Sequence, residues 1–238
     1  MEHKHTQEAI RERLAASPRQ SYLRDWVYGG VDGVVTTFAI VSGVVGARLS
    51  PDVIVILGLS TLVADGLAMA ASNYLATRSE HDELRHAEAI EHRHIKTVPE
   101  GEREEVREIF RGYGLQGDVL ESVVETITAN RGQWVRTMLR EEYGLPAAVR
   151  SSWRAAASTF SAFFLCGLLP LIPFVTGLTN AFAVAAVATG LAFALIGALK
   201  SGWSARPWWR SALETLAVGG GAATVAYGIS SGIRGFSG

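Results

Sequence analysis

The sequence predicts an all-α membrane protein: five spanning helices, with a charged helical insert between the second and the third. Three observations carry that prediction. Five apolar segments are each long enough to cross a hydrocarbon core of ~30 Å. Almost all the charge is confined to residues 1–25, 78–154 and 200–214. The second apolar segment also runs without a helix breaker into a charged one holding four of the chain's six histidines. Whole-chain averages conceal this partition, since 48% hydrophobic and 19% charged residues would suit many soluble domains.

In chain order, residues 6–15 (TQEAIRERLA) read as a short amphipathic helix ended by Ser17-Pro18. Tyr28 to Leu49 is the first span, with Asp32 its only charge before Arg48. The link GARLSP permits only a tight hairpin, and the second helix starts at Pro51-Asp52, where a first-turn proline is tolerated. It stays apolar to about Tyr74 and continues through HDELRHAEAIEHRHIKT to Thr97. Unbroken, its roughly 46 residues would reach about 70 Å. Val98-Pro99 ends it, and PEGEREEVREIFRGYGL forms a further helix that stops near Gly114. Asp118 is placed to cap VLESVVETITA, and Gln133 to Tyr143 form the last helix of the insert, ending at Gly144.

Ala156–Thr176 is the third span, with Pro170 and Pro173 tolerated where neighbouring helices re-satisfy the freed carbonyls. Asn180–Leu199 is the fourth, and Ser211–Ile233, which carries Glu214, is the fifth. The expected organisation is an N-terminal arm (1–25), spans one and two (26–78), the helical insert (79–152) and spans three to five (153–238). Lys200, Arg206 and Arg210 share a side with the arm and the insert, so the positive-inside rule puts these in the cytoplasm and the C-terminus outside. Trp203, Trp208 and Trp209 fit an interfacial belt on that side. The N-terminus lacks the tripartite pattern of a cleaved signal, and with the compact loops this suits a bacterial inner membrane.

Several classes are excluded. The single cysteine, Cys166, allows neither an intrachain disulfide nor a Cys-based zinc site, and reads as a small apolar side chain. No basic patch with interleaved aromatics points to nucleic acid. Small residues on the first span (Gly29, Gly30, Gly33, Ser42, Gly43, Gly46) permit close helix approach, for packing or for dimerisation.

The chemistry lies in carboxylates placed where they are expensive. Asp32 and Asp65 each cost about 2.5–3.5 kcal/mol to insert at a bilayer centre. Asp32 lies about one turn from the cytoplasmic end of its helix, whereas Asp65 is near mid-span with Met69 at i+4 on the same face. A carboxylate with a thioether suits a borderline-soft divalent ion such as Fe2+ or Mn2+. A carboxylate that holds metal when ionised also releases it when protonated, so proton coupling is physically natural. Glu214 lies near the cytoplasmic end of its span, where a place on the ion path competes with snorkelling. In the insert, Glu80 to Glu108 hold ten acidic residues against five Lys/Arg, with His81, His86, His92 and His94.

The motifs DGVVTTFAIVSG (32–43), ADGLAMAASNYLATRSE (64–80), VPE (98–100), YGL (113–115), WVRTMLREEYGL (134–145) and GLLPLIPF (167–174) resemble the vacuolar iron transporter family, in the family's order and from about residue 22 onward. The resemblance implies five spans, a homodimer with its ion path at the dimer interface, a cytoplasmic metal-binding insert, and proton-coupled Fe2+ transport out of the cytoplasm. It assigns the pore aspartate to Asp32 and the pore methionine to Met69; Thr61 stands where plant members have glutamate, and Asp65, one turn on, is placed to substitute. Its insert ligands fall on Glu91, Glu102, Glu105, Met138 and Glu142, with His94 replacing a glutamate and Leu139 a methionine. His81, His86 and His92 match no family ligand and are expected to be solvated.

Spacing supports the insert assignment on its own terms, because Glu91/His94, Glu102/Glu105 and Met138/Glu142 each share one helix face. Carboxylate with imidazole suits iron, manganese, zinc or cobalt as the carried ion, with no permanently bound cofactor. The expected activity is therefore transport rather than catalysis, with divalent ions, protons, lipid and a second copy as partners. A membrane-anchored metal sensor or store is the rival. A di-iron oxidase is rejected, since Glu83-x-x-His86 and Glu91-x-x-His94 lie on one helix and no second helix supplies a histidine.

Overall fold

The computed structural model describes residues 6–15, 20–146, 149–201 and 207–237; the expectations for Ser17-Pro18, Trp203 and Arg206 fall outside them. Among the described residues the secondary structure is helical: α1 (Gln7–Ala15), α2 (Leu23–Gly46), α3 (Pro51–Thr97), α4 (Pro99–Gly112), α5 (Gly117–Thr128), α6 (Arg131–Glu141), α7 (Ser152–Leu168), α8 (Ile172–Val175), α9 (Ala181–Ser201) and α10 (Trp208–Ser237). They form two compact units. One comprises Ala76–Ser151 with the described part of Met1–Arg19, the other Gln20–Leu75 with Ser152–Gly238. Helix α3 gives its apolar half to the second unit and its charged half to the first.

In the apolar unit, α2 begins at Leu23, earlier than expected, which places Asp25 in its first turn where a carboxylate complements the helix dipole. Its end is a Schellman turn: the Arg48 N–H reaches the Val45 carbonyl (3.0 Å) and the Leu49 N–H that of Val44 (3.1 Å). Arg48 takes the left-handed position (φ 57°) that glycine usually fills, and so closes the predicted hairpin. Helix α3 runs unbroken for 47 residues, as its lack of internal breakers requires.

Among the described residues, α2, α3, α9 and α10 are long and apolar enough to cross a bilayer. The third expected span differs. Helix α7 stops at Leu168 after 17 residues, and the short α8 follows a turn in which the Leu171 N–H bonds the Leu168 carbonyl at 3.0 Å. Pro170 supplies no N–H and disfavours helix at the residue before it, so the chain breaks there instead of running through. Pro173 falls in the first turn of α8, where a missing N–H is harmless.

Glycine sets the approach of α2 to α7. A Cβ at Gly29 would lie 2.3 Å from the Thr159 carbonyl oxygen, and one at Gly33 would lie 2.2 Å from that of Phe163. Gly167 meets α2 reciprocally, its added Cβ falling 2.7 Å from the Gly33 carbonyl oxygen. Gly29 and Gly33 thus pack this chain against itself. Around that seam, Val41, Val44, Ile54, Leu62, Phe163 and Leu171 form one core, and Val34, Cys166, Ala192, Phe193 and Ile196 another. Cys166 is an apolar packing element, as its setting in the sequence suggests.

In the charged unit, α4, α5 and α6 enclose Val106, Leu120, Val124, Ile127, Trp134 and Met138. Asn130 caps α6, its side chain accepting from the Gln133 N–H at 3.0 Å. Asp118 does not cap α5; it lies inside the first turn, and Gln116 takes the cap position.

The glycine seam gives a direct test. Gly29→Ala and Gly33→Ala should each destabilise the protein in detergent by about 1–3 kcal/mol, the usual cost of overpacking. Gly220→Ala and Gly228→Ala, where an added Cβ meets nothing within 4 Å, should leave thermal unfolding unchanged or raise it.

Candidate metal sites

Three helices bring the predicted insert ligands together. Glu91 and His94 lie one turn apart near the end of α3. Val98 then leaves the helical region (φ −138°, ψ 55°) and Pro99 starts α4, which turns the chain back and presents Glu102 and Glu105 to the same place. The end of α6 adds Glu142 and Tyr143, whose N–H groups both bond the Met138 carbonyl, at 2.9 and 3.4 Å.

At the centre, Glu91 and Glu102 are 1% and 4% exposed. His94 Nδ1 lies 3.2 Å from Glu102 Oε1, and the Tyr143 hydroxyl donates to Glu91 Oε1 at 3.0 Å. The Oε2 atoms of both glutamates are buried without a hydrogen-bond partner. Burial, then the neighbouring charges of Glu91 and Glu105, a hydrogen bond shared with Glu91 and the charge of Glu142 push the Glu102 carboxyl up to about 8. Burial, Glu91 and Glu105 also raise Glu142, against a lowering by His94. Burial and its bond to Glu91 push the Tyr143 phenol up to about 12. Two carboxylates forced together need either a shared proton or a cation, and the partnerless oxygens are where either would sit.

Among the described residues, no three His, Cys, Asp or Glu side chains stand close enough to hold an ion without adjustment. The central pair is buried, while Glu105 and Glu142 are exposed. Met138 is fully buried in the apolar cluster of α4, α5 and α6, and Leu139 packs on Ala87 and Val135. The visible contribution of Met138 to the site is its carbonyl, which anchors Glu142 and Tyr143.

Two of the histidines expected to be solvated have structural partners. His81 Nε2 is 2.8 Å from the Arg150 carbonyl. Arg131 donates to the His92 ring (3.2 Å) and to its carbonyl (2.8 Å). His86 is exposed, as expected; His3 and His5 lie outside the described residues.

In the apolar unit, Asp32 is partly buried on α2 and Asp65 is exposed on α3, and the two carboxylates interact electrostatically. Thr61 is partly buried one turn from Asp65. Met69 packs against the cluster that contains Leu62 and Phe163. Glu214 pairs with Lys200 at 3.5 Å on the edge of a groove of about 440 Å³ that also holds Arg24.

Sequence reasoning missed two residues. Tyr143 sits inside a motif quoted for its neighbour Glu142. Asn73 donates to Asp25 Oδ1 (3.0 Å), Thr159 Oγ1 (2.7 Å) and the Ala155 carbonyl (3.3 Å), tying α3 to α2 and α7. Its signal was available: it is an amide one turn beyond Met69 in an otherwise apolar stretch.

A family model described as the VIT family matches residues 23–231. Among curated relatives, the vacuolar iron transporter of Centaurea cyanus is 30% identical over 88% of this chain and 87% of its own length. Vacuolar iron transporter 1 of Arabidopsis thaliana is 31% identical over 86% of this chain and 83% of its own. The vacuolar iron transporter of Toxoplasma gondii is 31% identical over 88% and 74%.

The raised Glu102 carboxyl fixes the sign of a pH effect. Its proton-linked stability is complete below its ordinary value of 4.5 and is lost as pH rises through about 8. Glu102→Gln, which keeps the neutral form at every pH, should therefore stabilise the metal-free protein at pH 8–9 by on the order of 1 kcal/mol or more and change little near pH 5. Thermal unfolding across that range measures it.

Proposed function

The chain belongs to the VIT family, and from that premise we propose that it is a transporter, not an enzyme, that moves Fe2+, and also Mn2+, out of the cytoplasm in exchange for protons. The observation that carries this reading is a carboxylate on each of two apolar helices, Asp32 on α2 and Asp65 on α3, near enough to act on each other electrostatically. Each carboxylate costs about 2.5–3.5 kcal/mol at a bilayer centre, and a protein that only anchored a metal sensor or store would have no use for the pair. Paired carboxylates bind a divalent ion when ionised and release it when protonated, which is the elementary step of an antiporter. Met69 adds a thioether one turn from Asp65, and Thr61 stands where the plant members supply a carboxylate.

Asp65 is exposed, and so are Ala68 and Ser72 on its side of α3. An exposed mid-span carboxylate on a face of small residues fits an ion path closed by a second copy, so the transporter is a homodimer with its path at the interface. α7 and α8 together supply the fifth crossing. The insert and the N-terminus face the cytoplasm and the C-terminus lies outside, following the positive charges. The compact loops suit a bacterial inner membrane. Glu91, His94, Glu102, Glu105 and Glu142 capture the ion, with Met138 anchoring the last of them, and protons leave the cluster as metal enters.

Reconstituted in liposomes under a pH gradient, Asp32→Asn and Asp65→Asn should each lower Fe2+ flux at least tenfold. Glu102→Gln should raise the half-saturating Fe2+ concentration and spare the maximal rate. Wild-type flux in both aspartate variants would remove these residues from the path, and wild-type protein that binds Fe2+ but moves none would favour the sensor or store.

A further inference from the structure

We propose that Tyr143 is a positioning residue that holds Glu91 as a one-oxygen donor and so biases the capture cluster toward small divalent ions over Ca2+. The inference rests on the capture role proposed above. The two oxygens of Glu91 have unlike surroundings: Oε1 accepts the Tyr143 hydroxyl at 3.0 Å, while Oε2 is buried with no partner. Turning the carboxylate so that both oxygens face one ion equally would carry Oε1 off the line of the Tyr143 hydroxyl and weaken that bond, at a carboxylate that is only 1% exposed. The phenol bond satisfies one oxygen of a buried carboxylate, so the carboxylate is held with Oε2 forward.

The backbone that carries the phenol is held, since the Tyr143 N–H bonds the Met138 carbonyl (3.4 Å) as α6 ends and Met138 is locked in the core, while Tyr143 itself is 37% exposed. A hydroxyl facing an acceptor-only carboxylate has one way to satisfy both groups, which is to donate.

Donor count is where ions differ. Ca2+ takes about 6–8 oxygens at roughly 2.3–2.6 Å and favours two-oxygen carboxylates, whereas transition metals accept fewer donors, imidazole among them. His94, with Nδ1 on Glu102 Oε1 at 3.2 Å, keeps its other ring nitrogen clear of that bond. Holding Glu91 to a single oxygen removes one donor from those open to Ca2+, a loss that matters less to an ion that takes fewer donors and accepts the imidazole at the cluster's edge.

The test uses the full-length protein in detergent at pH 7, with Co2+ titrated calorimetrically alone and against Ca2+, in wild type, Tyr143→Phe, Glu91→Gln and the double variant. Residues that hold a metal ligand in place are typically worth 10–100-fold in affinity. Tyr143→Phe, which keeps the ring, should weaken the Glu91-dependent Co2+ event about tenfold and narrow the preference for Co2+ over Ca2+. It should add nothing in the Glu91→Gln background. Co2+ affinity and preference within twofold of wild type in Tyr143→Phe, beside a weakened Glu91→Gln, overturn the role of Tyr143 and leave the capture site standing. Equal losses in both backgrounds overturn it too, because Tyr143 would then act through another group. An unaffected Glu91→Gln removes the capture site itself.

Discussion

The charged unit is built around the enforced meeting of Glu91 and Glu102. Two like unit charges ~4 Å apart repel by about 4 kcal/mol at an effective dielectric of ~20, before any cost of burial. The fold nevertheless brings both side chains inside. Helix α3 runs on as one rod until its face presents Glu91, Val98-Pro99 reverses the chain within two residues, and α4 returns Glu102 to the same point. The Asn130 cap then sets where α6 begins, and the buried Met138, whose carbonyl takes the Glu142 and Tyr143 N–H groups, sets where those two residues fall. An arrangement this costly to the empty protein is stable only with a proton or a cation between the two carboxylates. The elevated Glu102 carboxyl is the first of those states.

The apolar unit meets the same difficulty in a different solvent. Its helices gain no hydrophobic drive from packing in lipid, so association rests on close contact and polar links. Gly29, Gly33 and Gly167 supply the contact, and the Asn73 amide, bonded to Asp25, Thr159 and the Ala155 carbonyl, supplies the link. Both act on the faces joining α2, α3 and α7. What they leave open is the side of α3 that carries Asp65. The seam and the Asn73 bonds thus keep Asp25 inside the unit and leave Asp65 exposed.

Much of this was legible in the sequence because the signals are local. The rod from Pro51 to Thr97 follows from the absence of a breaker, and the stop at Val98-Pro99 follows from proline chemistry. The pairs Glu91/His94 and Glu102/Glu105 follow from helical spacing. Three features were not legible. Spacing places residues on a face without saying what that face meets, so Gly29 and Gly33 left packing and dimerisation undecided until Thr159 and Phe163 were seen opposite them. The break at Leu168 was misread because proline in an apolar helix has two outcomes, a kink or a stop, and neighbours decide between them. Tyr143 escaped because a tyrosine at a helix end is ordinary until its hydroxyl is found on a buried carboxylate from another helix.

His94 bears on how the cluster balances its charge. With glutamate there, as the family pattern implies, five carboxylates would converge and more than one proton would be needed to hold them together in the absence of metal. Imidazole removes one negative charge, lies within reach of Glu102, and lowers rather than raises Glu142. A ring that lowers Glu142 does so as imidazolium, and imidazolium must give up its proton before it can take metal, as a carboxylic acid there would. On the proposed capture role, His94 therefore changes the charge that the cluster keeps after binding, by one negative charge relative to a fifth carboxylate, while the fold that gathers the ligands stays the same.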